Sequence, residues 1–214
     1  IRAIGVTGVQ TCALPICGQA EPSPTVPVQV GAPDLLEDFG PGTDEEFSQT
    51  ANLIVEPGEG VLTLTTVSEE LSYYGWSVDA ASAVRVEADV FVPSTGTLGE
   101  PVFGGLVLSN DQDEGYYLGY SPDRGLVLVR ASAAGTQELA REELSGDLSV
   151  GLWLRIDAQS QPGATAVSFG LADGSAFEVV DNSNLSPVTM VGVSIVSQDP
   201  PASVAVDEVR AWTD

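Results

Sequence analysis

The sequence predicts an all-β fold in which two antiparallel sheets pack face to face as a jelly-roll sandwich. Short segments alternate between apolar and polar residues, which is the period of a β-strand with one buried face. Turn signals rich in Gly, Pro, Asp and Asn separate these segments, and no segment predicts a helix of three turns. At 214 residues, of which 43% are apolar, the chain is long enough to bury a substantial core.

The clearest unit is the central stretch, residues 103–130, which reads FGGLVLSNDQDEGYYLGYSPDRGLVLVR. It predicts three strands, at 103–109, 116–121 and 126–130. An acidic loop joins the first two strands. Pro-Asp-Arg-Gly joins the last two, because Pro presets its own φ and Gly accepts a positive φ. Alternation places Tyr116, Leu118 and Tyr120 in the core and Tyr117 on the opposite face. Further strands are predicted at 35–39, 52–55, 61–67, 71–78, 83–92, 136–141, 151–158, 164–171, 176–180, 189–196 and 203–212, with loops at 43–50 and 142–150.

Two of these strands expose polar residues opposite an apolar face. In 83–92 every second residue is Val or Ala, and Glu87 and Asp89 lie on the other face. In 151–158 Trp153 lies opposite the neighbouring leucines. We therefore expect one face of each strand to be core and the other to meet solvent or a ligand.

The charge of the chain excludes several classes of function. It has 31 acidic residues against 7 basic ones, all of them Arg, and its net charge is −24. Such a field repels nucleic acids and anionic membrane surfaces, and it is compatible with cations and neutral ligands. The sequence has no His, which excludes Ser-His-Asp and Cys-His nucleophiles and His-ligated metals. No apolar run approaches the length that spans a bilayer.

The N-terminal segment has a different character from the rest. Residues 6–16, VTGVQTCALPI, resemble one translated frame of a short-read sequencing adapter. The resemblance implies that residues 1–17 are an artefact of a metagenomic gene that lost its export region. Residues 18–33 are rich in Pro and predict an extended linker, so that the domain covers residues 34–214. Cys17-Gly18-Gln19 before this linker resembles the start of a mature bacterial lipoprotein, which predicts a lipid anchor on Cys17.

Motifs along residues 34–214 occur in a recognisable order. They are LLEDFG, VRVEADVFV, the central stretch, GLWLRIDAQ and VDEVRAWTD. Together they resemble the concanavalin A-like lectin/glucanase sandwiches, and more narrowly the bacterial extracellular domains grouped with laminin G-like and 3-keto-disaccharide hydrolase-type modules. The resemblance implies two stacked antiparallel sheets, neighbouring first and last strands, and a concave outer face that often holds glycans.

Glu87 and Asp89 are the candidate catalytic pair that the resemblance suggests. They share a strand face and are about 7 Å apart along the chain. Laminarinase-type glycosidases of this superfamily use a Glu-x-Asp-x-(x)-Glu strand, in which the last Glu is the general acid. This chain has Phe91 and Val92 at the positions of that last Glu. Because retaining hydrolysis needs a second carboxyl group about 5–5.5 Å away, the pattern favours an exposed polar face, although an acid from another strand would complete the pair.

Aromatic residues are the candidate sugar platforms, because a ring face offers flat apolar area to the C–H side of a pyranose. Any of them would serve equally well as a core or loop-covering side chain. The candidates are Tyr73, Tyr74, Trp76, Tyr117 and Trp153.

Acidic loops are candidate sites for structural calcium. Asp111 and Asp113 supply hard oxygen ligands in the loop after the first strand of the central stretch, without the twelve-residue pattern of a calcium loop. Asp207 is a second candidate, if the pairing of the terminal strands brings it to Glu37 or Asp38. A solvated turn explains the same residues more simply.

The sequence therefore predicts a non-catalytic, extracellular or cell-surface module that binds carbohydrate. Binding would combine aromatic stacking with hydrogen bonds from Glu87, Asp89 and Arg130; Arg130 and Arg155 would alternatively pair with carboxylates. A glycoside-acting hydrolase of the 3-keto-disaccharide or laminarinase type is the first alternative. A structural or adhesive module without a small-molecule site is the second.

Overall fold

Strands make up all the regular structure in the described residues. The computed structural model describes residues 31–39, 47–49, 51–57, 60–93, 100–112, 114–144, 151–174, 176–183, 185 and 187–214. No helix in this part of the chain is long and apolar enough to cross a membrane. The strands are β1 Leu35–Glu37, β2 Phe47–Gln49, β3 Leu53–Pro57, β4 Leu62–Thr66, β5 Ser72–Ala81, β6 Ala83–Phe91, β7 Val102–Ser109, β8 Gly115–Ser121, β9 Gly125–Ser132, β10 Gly135–Glu142, β11 Leu152–Gln161, β12 Ala164–Leu171, β13 Ala176–Asp181, β14 Val188–Ser197 and β15 Ala202–Thr213.

The strands form two antiparallel sheets. Sheet A has the order β13-β12-β11-β6-β15-β4-β3, and β1 also pairs with β15. Sheet B has the order β10-β9-β8-β7-β14-β5-β2. The predicted two-sheet sandwich is confirmed, and so is the pairing of the first strand with the last.

The core lies between the sheets and follows the predicted alternation. On β6, Val84, Val86, Ala88 and Val90 are fully buried, and they face Tyr116, Leu118 and Tyr120 of sheet B, which are also fully buried. Each sheet thus has one face in the core and one outer face. The sandwich therefore has two outer surfaces, one on sheet A and one on sheet B.

Two predicted boundaries were wrong. Phe39 has a φ of 50°, which is not an extended conformation, so β1 ends at Glu37 instead of continuing to residue 39. Strand β2 lies within the segment predicted as a loop and pairs with β5 at the edge of sheet B. Part of the predicted loop 142–150 lies outside the described residues.

Trp76 is a core residue, which corrects its prediction as a sugar platform. It is 3% exposed. Its ring centroid lies 6.2 Å from that of Phe39 and 5.2 Å from that of Tyr74, with the Tyr74 ring perpendicular to it. The alternation of β5 turns this side chain inward together with Tyr74, so it packs between the sheets.

Arg130 links the two sheets at their edge by pairing with a carboxylate, which was the alternative to its prediction as a ligand-binding residue. Its Nη1 donates to both carboxylate oxygens of Asp181 on β13, at 2.9 and 3.1 Å, and also to Ser183. The Tyr116 hydroxyl donates to the same carboxylate at 2.9 Å. Because Arg130 has the same parity on β9 as the buried Leu126 and Leu128, it points between the sheets.

Candidate functional site

The predicted ligand-binding residues lie in separate places. Glu87, Asp89 and Trp153 lie on the outer face of sheet A, since their neighbours along each strand are buried. Tyr117 lies on the outer face of sheet B, and Trp76 and Arg130 lie between the sheets, as described above. No single ligand can contact all six, so the predicted site is not formed as a unit.

The outer face of sheet A carries a network of ion pairs. Glu87 lies directly between Arg155 on β11 and Arg210 on β15. In the next row, Asp157 is 2.5 Å from Arg85 Nε and 3.0 Å from Arg155 Nε. Burial raises the pKa of Glu87, and the neighbouring arginines, Arg85 first, oppose this increase. These side chains bind one another, as the alternative for Arg155 had predicted.

Trp153 offers little free ring surface on this face. The Arg210 guanidinium lies over the Trp153 ring, with its Cζ 4.6 Å from the ring centroid, and it also pairs with Glu208. A cation in this position covers one face of the ring. A sugar could stack on Trp153 only through the other face.

Asp89 is one of the groups on this surface that lack a hydrogen-bond partner among the described residues. Its Oδ1 is buried and accepts no hydrogen bond from the described residues. Burial raises the pKa of Asp89, and the carboxylates of Asp207 and Glu208 raise it further. The native state therefore binds this proton more tightly than the unfolded chain does, and ionisation of Asp89 near neutral pH destabilises the fold.

We expect Asp89→Asn to raise the free energy of unfolding at about pH 7, because the amide removes that ionisation. The gain should shrink as the pH falls through the native pKa and vanish below the unfolded value of about 3.9, where both states are protonated. Urea denaturation at about pH 7 and about pH 3 measures it. Asp173→Asn, in an exposed turn, reports the effect of net charge alone. An equal gain at both pH values would contradict this explanation.

The calcium candidates do not gather into a site. Asp111 is exposed and accepts a hydrogen bond from Thr189, and Asp113 lies outside the described residues. Glu37 is buried opposite Val209, whereas Asp207 is exposed near Asp89, so Glu37 does not join Asp207. Within the described ranges, no three His, Cys, Asp or Glu residues are placed to hold a metal ion.

The outer face of sheet B carries a cleft of about 350 Å³. Its lining runs across the sheet from β10 through β9, β8 and β7 to β14 and the segment before β5. The five strands from β10 to β14 are separated by four spacings of about 4.8 Å, so this part of the cleft is about 19 Å across. Most of the lining is apolar, with a few polar groups at the rim. The lining residues are Glu69, Leu71, Phe103, Tyr117, Gly119, Val127, Val129, Thr136, Arg141, Ser194 and Val196.

Glycines pair across the strands on the outer face of sheet B, and Gly119 is the one that lines the cleft. Gly105 lies opposite Gly119, and Gly75 lies opposite Gly192. A Cβ on Gly105 would lie 1.7 Å from Leu118 O, and one on Gly192 would lie 2.3 Å from Tyr74 O. Side chains are thus excluded where the strands approach most closely. Glycine inside a strand often marks close approach of a ligand or of another backbone, and here it leaves a floor flanked by Phe103.

A shift in strand register places an ion pair at the rim of the cleft. Residues three apart on a regular strand point to opposite faces, but the pairing of β10 with β9 shifts between Glu138 and Ala140. Glu138 then lies opposite Val129 and Arg141 opposite Val127, so both face outward. Arg141 Nη2 is 2.7 Å from Glu138 Oε2, and this bond lowers the pKa of Glu138.

The lining of the cleft combines apolar and hydrogen-bonding groups. Phe103 and the valines offer an apolar surface, and Thr136, Ser194, Arg141 and Glu69 offer hydrogen-bonding groups. Glu69 is the one carboxylate among these lining residues. The paired carboxyl groups that glycoside hydrolysis requires are therefore missing from the described lining.

The chain is similar to known proteins in its structure. No protein-family model matches the chain, and no curated protein matches it. The carbohydrate-binding module CBM66 from Bacillus subtilis is 11% identical, with a TM-score of 0.57 over 79% of this chain and 96% of its own. The fold is a jelly-roll sandwich.

Two enzymes contain the same sandwich. A GH16 protein of the Bacteroides ovatus mixed linkage glucan PUL, in complex with a G4G4G3G product, is 10% identical, with a TM-score of 0.56 over 83% of this chain and 99% of its own. A xylan β-1,4-xylosidase from Bacillus halodurans is 14% identical, with a TM-score of 0.54 over 84% of this chain but 39% of its own. This chain thus spans well under half of the xylosidase.

Of the residues that line the cleft, sequence analysis had singled out Tyr117, which is 6% exposed. A signal that sequence analysis did not use was the presence of glycines inside strands, Gly119 of the lining among them. Glycine is unfavourable in a strand interior, where it often marks close approach of a ligand or of another backbone. The shared location of these glycines depends on strand order, which the sequence did not provide.

Proposed function

We propose that this chain is a non-catalytic carbohydrate-binding module that holds a glycan in the cleft of sheet B, outside the cell or at its surface. The observation that carries the proposal is the composition of the cleft, which combines an apolar floor beside Phe103 and Tyr117 with a polar rim. The apolar part suits the C–H face of a sugar ring, and the rim suits its hydroxyls. Its extent across five strands suits several rings in a row.

The solved structures with this fold support a glycan as ligand, since one is a carbohydrate-binding module and another is in complex with a G4G4G3G product. Long glycans occur chiefly outside cells, which supports the proposed location. The single carboxylate in the lining favours binding over hydrolysis. Glu87 and Asp89 lie on the other sheet, where arginines surround Glu87.

We expect Phe103→Ala to weaken glycan binding about tenfold, because it removes the ring that flanks the floor. The measurement is affinity electrophoresis in gels that contain laminarin, xylan, galactomannan or hydroxyethyl cellulose, with reducing-sugar release assayed in parallel. Phe91→Ala is the matched control, since Phe91 is 47% exposed on the outer face of sheet A.

Three outcomes would contradict the proposal. Weaker binding in Phe91→Ala with no change in Phe103→Ala would place the site on sheet A. Release of reducing sugar would make the chain an enzyme. The absence of binding to every polymer, by a chain shown to be folded, would leave a structural or adhesive role.

A further inference from the structure

We infer that the cleft of sheet B selects neutral glycans and rejects acidic ones that carry uronate carboxylates. This inference rests on the proposed function, and it names the ligand class for the same cleft. It is carried by the charges at the rim of the cleft and by the placement of the arginines in the rest of the fold.

The rim presents more negative than positive charge. Arg141 is the one cation in the described lining, and two of its nitrogens are already bonded to Glu138, Nη2 at 2.7 Å and Nε at 3.2 Å. The bond to Arg141 lowers the pKa of Glu138, so this carboxylate stays ionised at neutral pH. Glu69 adds a second carboxylate at the far end of the cleft. A uronate in the cleft would therefore lie near two carboxylates and near one guanidinium that already donates hydrogen bonds to Glu138.

The other arginines in the described part of the chain lie away from the cleft lining. Arg85, Arg155 and Arg210 lie on the outer face of sheet A, each within 3.0 Å of a carboxylate oxygen. Arg130 is held between the sheets by Asp181. Arg124 is exposed in the β8–β9 turn and does not line the cleft. With 31 acidic residues against 7 basic ones, the field around the cleft is negative as a whole.

A neutral glycan avoids this repulsion altogether. Its ring faces contact Phe103 and the valine floor, and its hydroxyls accept and donate hydrogen bonds without a net charge. The selection should depend strongly on salt. The screening length is about 30 Å at 0.01 M salt and about 3 Å at 1 M, so the discrimination should be large in the first condition and small in the second.

The test compares polymers that differ only in charge. The pairs are hydroxyethyl cellulose with carboxymethyl cellulose, carboxyl-reduced pectate with pectate, and carboxyl-reduced glucuronoxylan with glucuronoxylan. Binding is measured by affinity electrophoresis and by calorimetry on the full chain at about 0.01 M and about 1 M salt. We expect the neutral member of any pair that binds to bind at least about fivefold more tightly at low salt, and the ratio to approach one at high salt.

Two variants test the assignment to the rim. Glu138→Gln frees the Arg141 fork, and Glu69→Gln removes the second carboxylate; each should lower the neutral-to-acidic ratio. Asp173→Gln changes the same net charge in an exposed turn and should leave the ratio closer to that of the parent. Equal or tighter binding of the acidic members at low salt would overturn the inference and leave the proposed function intact. No binding of any polymer at either salt would overturn both.

Discussion

Replacing Asp181 by alanine is expected to lower the free energy of unfolding by about 3 kcal/mol. Asp181 is 7% exposed, and it accepts hydrogen bonds from Arg130 on β9, from Tyr116 on β8 and from the backbone N–H of Ser183. Its removal leaves a guanidinium and a buried hydroxyl without their acceptor, which costs more than the pair itself contributes. Because the Arg130 side chain keeps 24% of its exposure, water restores part of its solvation, so we take the lower end of the usual range.

Chemical denaturation of matched variants measures this effect. Asp181→Asn keeps the side-chain volume and one acceptor oxygen. It should therefore lower the free energy of unfolding less than Asp181→Ala does. Tyr116→Phe removes the hydroxyl that donates to Asp181 and should cost about 1 kcal/mol. Burial raises the pKa of the Tyr116 hydroxyl, and its bond to Asp181 adds to the increase, so this hydroxyl stays a donor throughout the working pH range. Glu178→Ala changes an exposed carboxylate on the same strand. A loss in Asp181→Ala no larger than that in Glu178→Ala would refute the role of this link.

Local sequence was sufficient to predict most of the fold. Alternation over 83–92 and in 116–120 decided which side chains face the core, because an apolar inner face is what makes a strand alternate. Turn residues then separated the strands. The errors occurred where contacts between distant segments determine the structure. Strand β2 forms because it pairs with the edge of β5, and Trp76 is in the core because β5 packs against the opposite sheet.

The candidate site could not be predicted in the same way. Alternation assigns each outward residue to a surface, but it does not say which of the two sheets that surface belongs to. Glu87 and Tyr117 are both outward residues of regular strands, yet they lie on opposite sides of the sandwich. Register shifts add a second difficulty. Strict alternation would place Arg141 and Glu138 on opposite faces of β10, but the register shift in this strand places them on the same face. Strand order and register depend on contacts between distant parts of the chain.

The glycines on the outer face of sheet B also limit how the sheet can be changed. Gly105 and Gly119 lie directly opposite each other on β7 and β8, but their surroundings differ. A Cβ on Gly105 would be 1.7 Å from Leu118 O and 2.8 Å from Leu118 C, whereas one on Gly119 would be 3.4 Å from Phe103 Cβ and 3.5 Å from its Cδ1. The first position conflicts with the backbone of the neighbouring strand. The second is ordinary contact with a side chain.

Gly105→Ala should therefore lower the free energy of unfolding by about 3 kcal/mol, because β7 and β8 must separate in the middle of sheet B to admit the methyl group. Gly119→Ala should change it by less than about 1 kcal/mol, since the strain is small and alanine restricts the unfolded chain. Its methyl group would still occupy the cleft floor beside Phe103, so glycan binding should weaken in a protein that remains folded. Urea denaturation and affinity electrophoresis of both variants separate the two effects. Equal stability of the two variants would contradict the close approach at Gly105, and full binding by Gly119→Ala would contradict the placement of the ligand over the glycines.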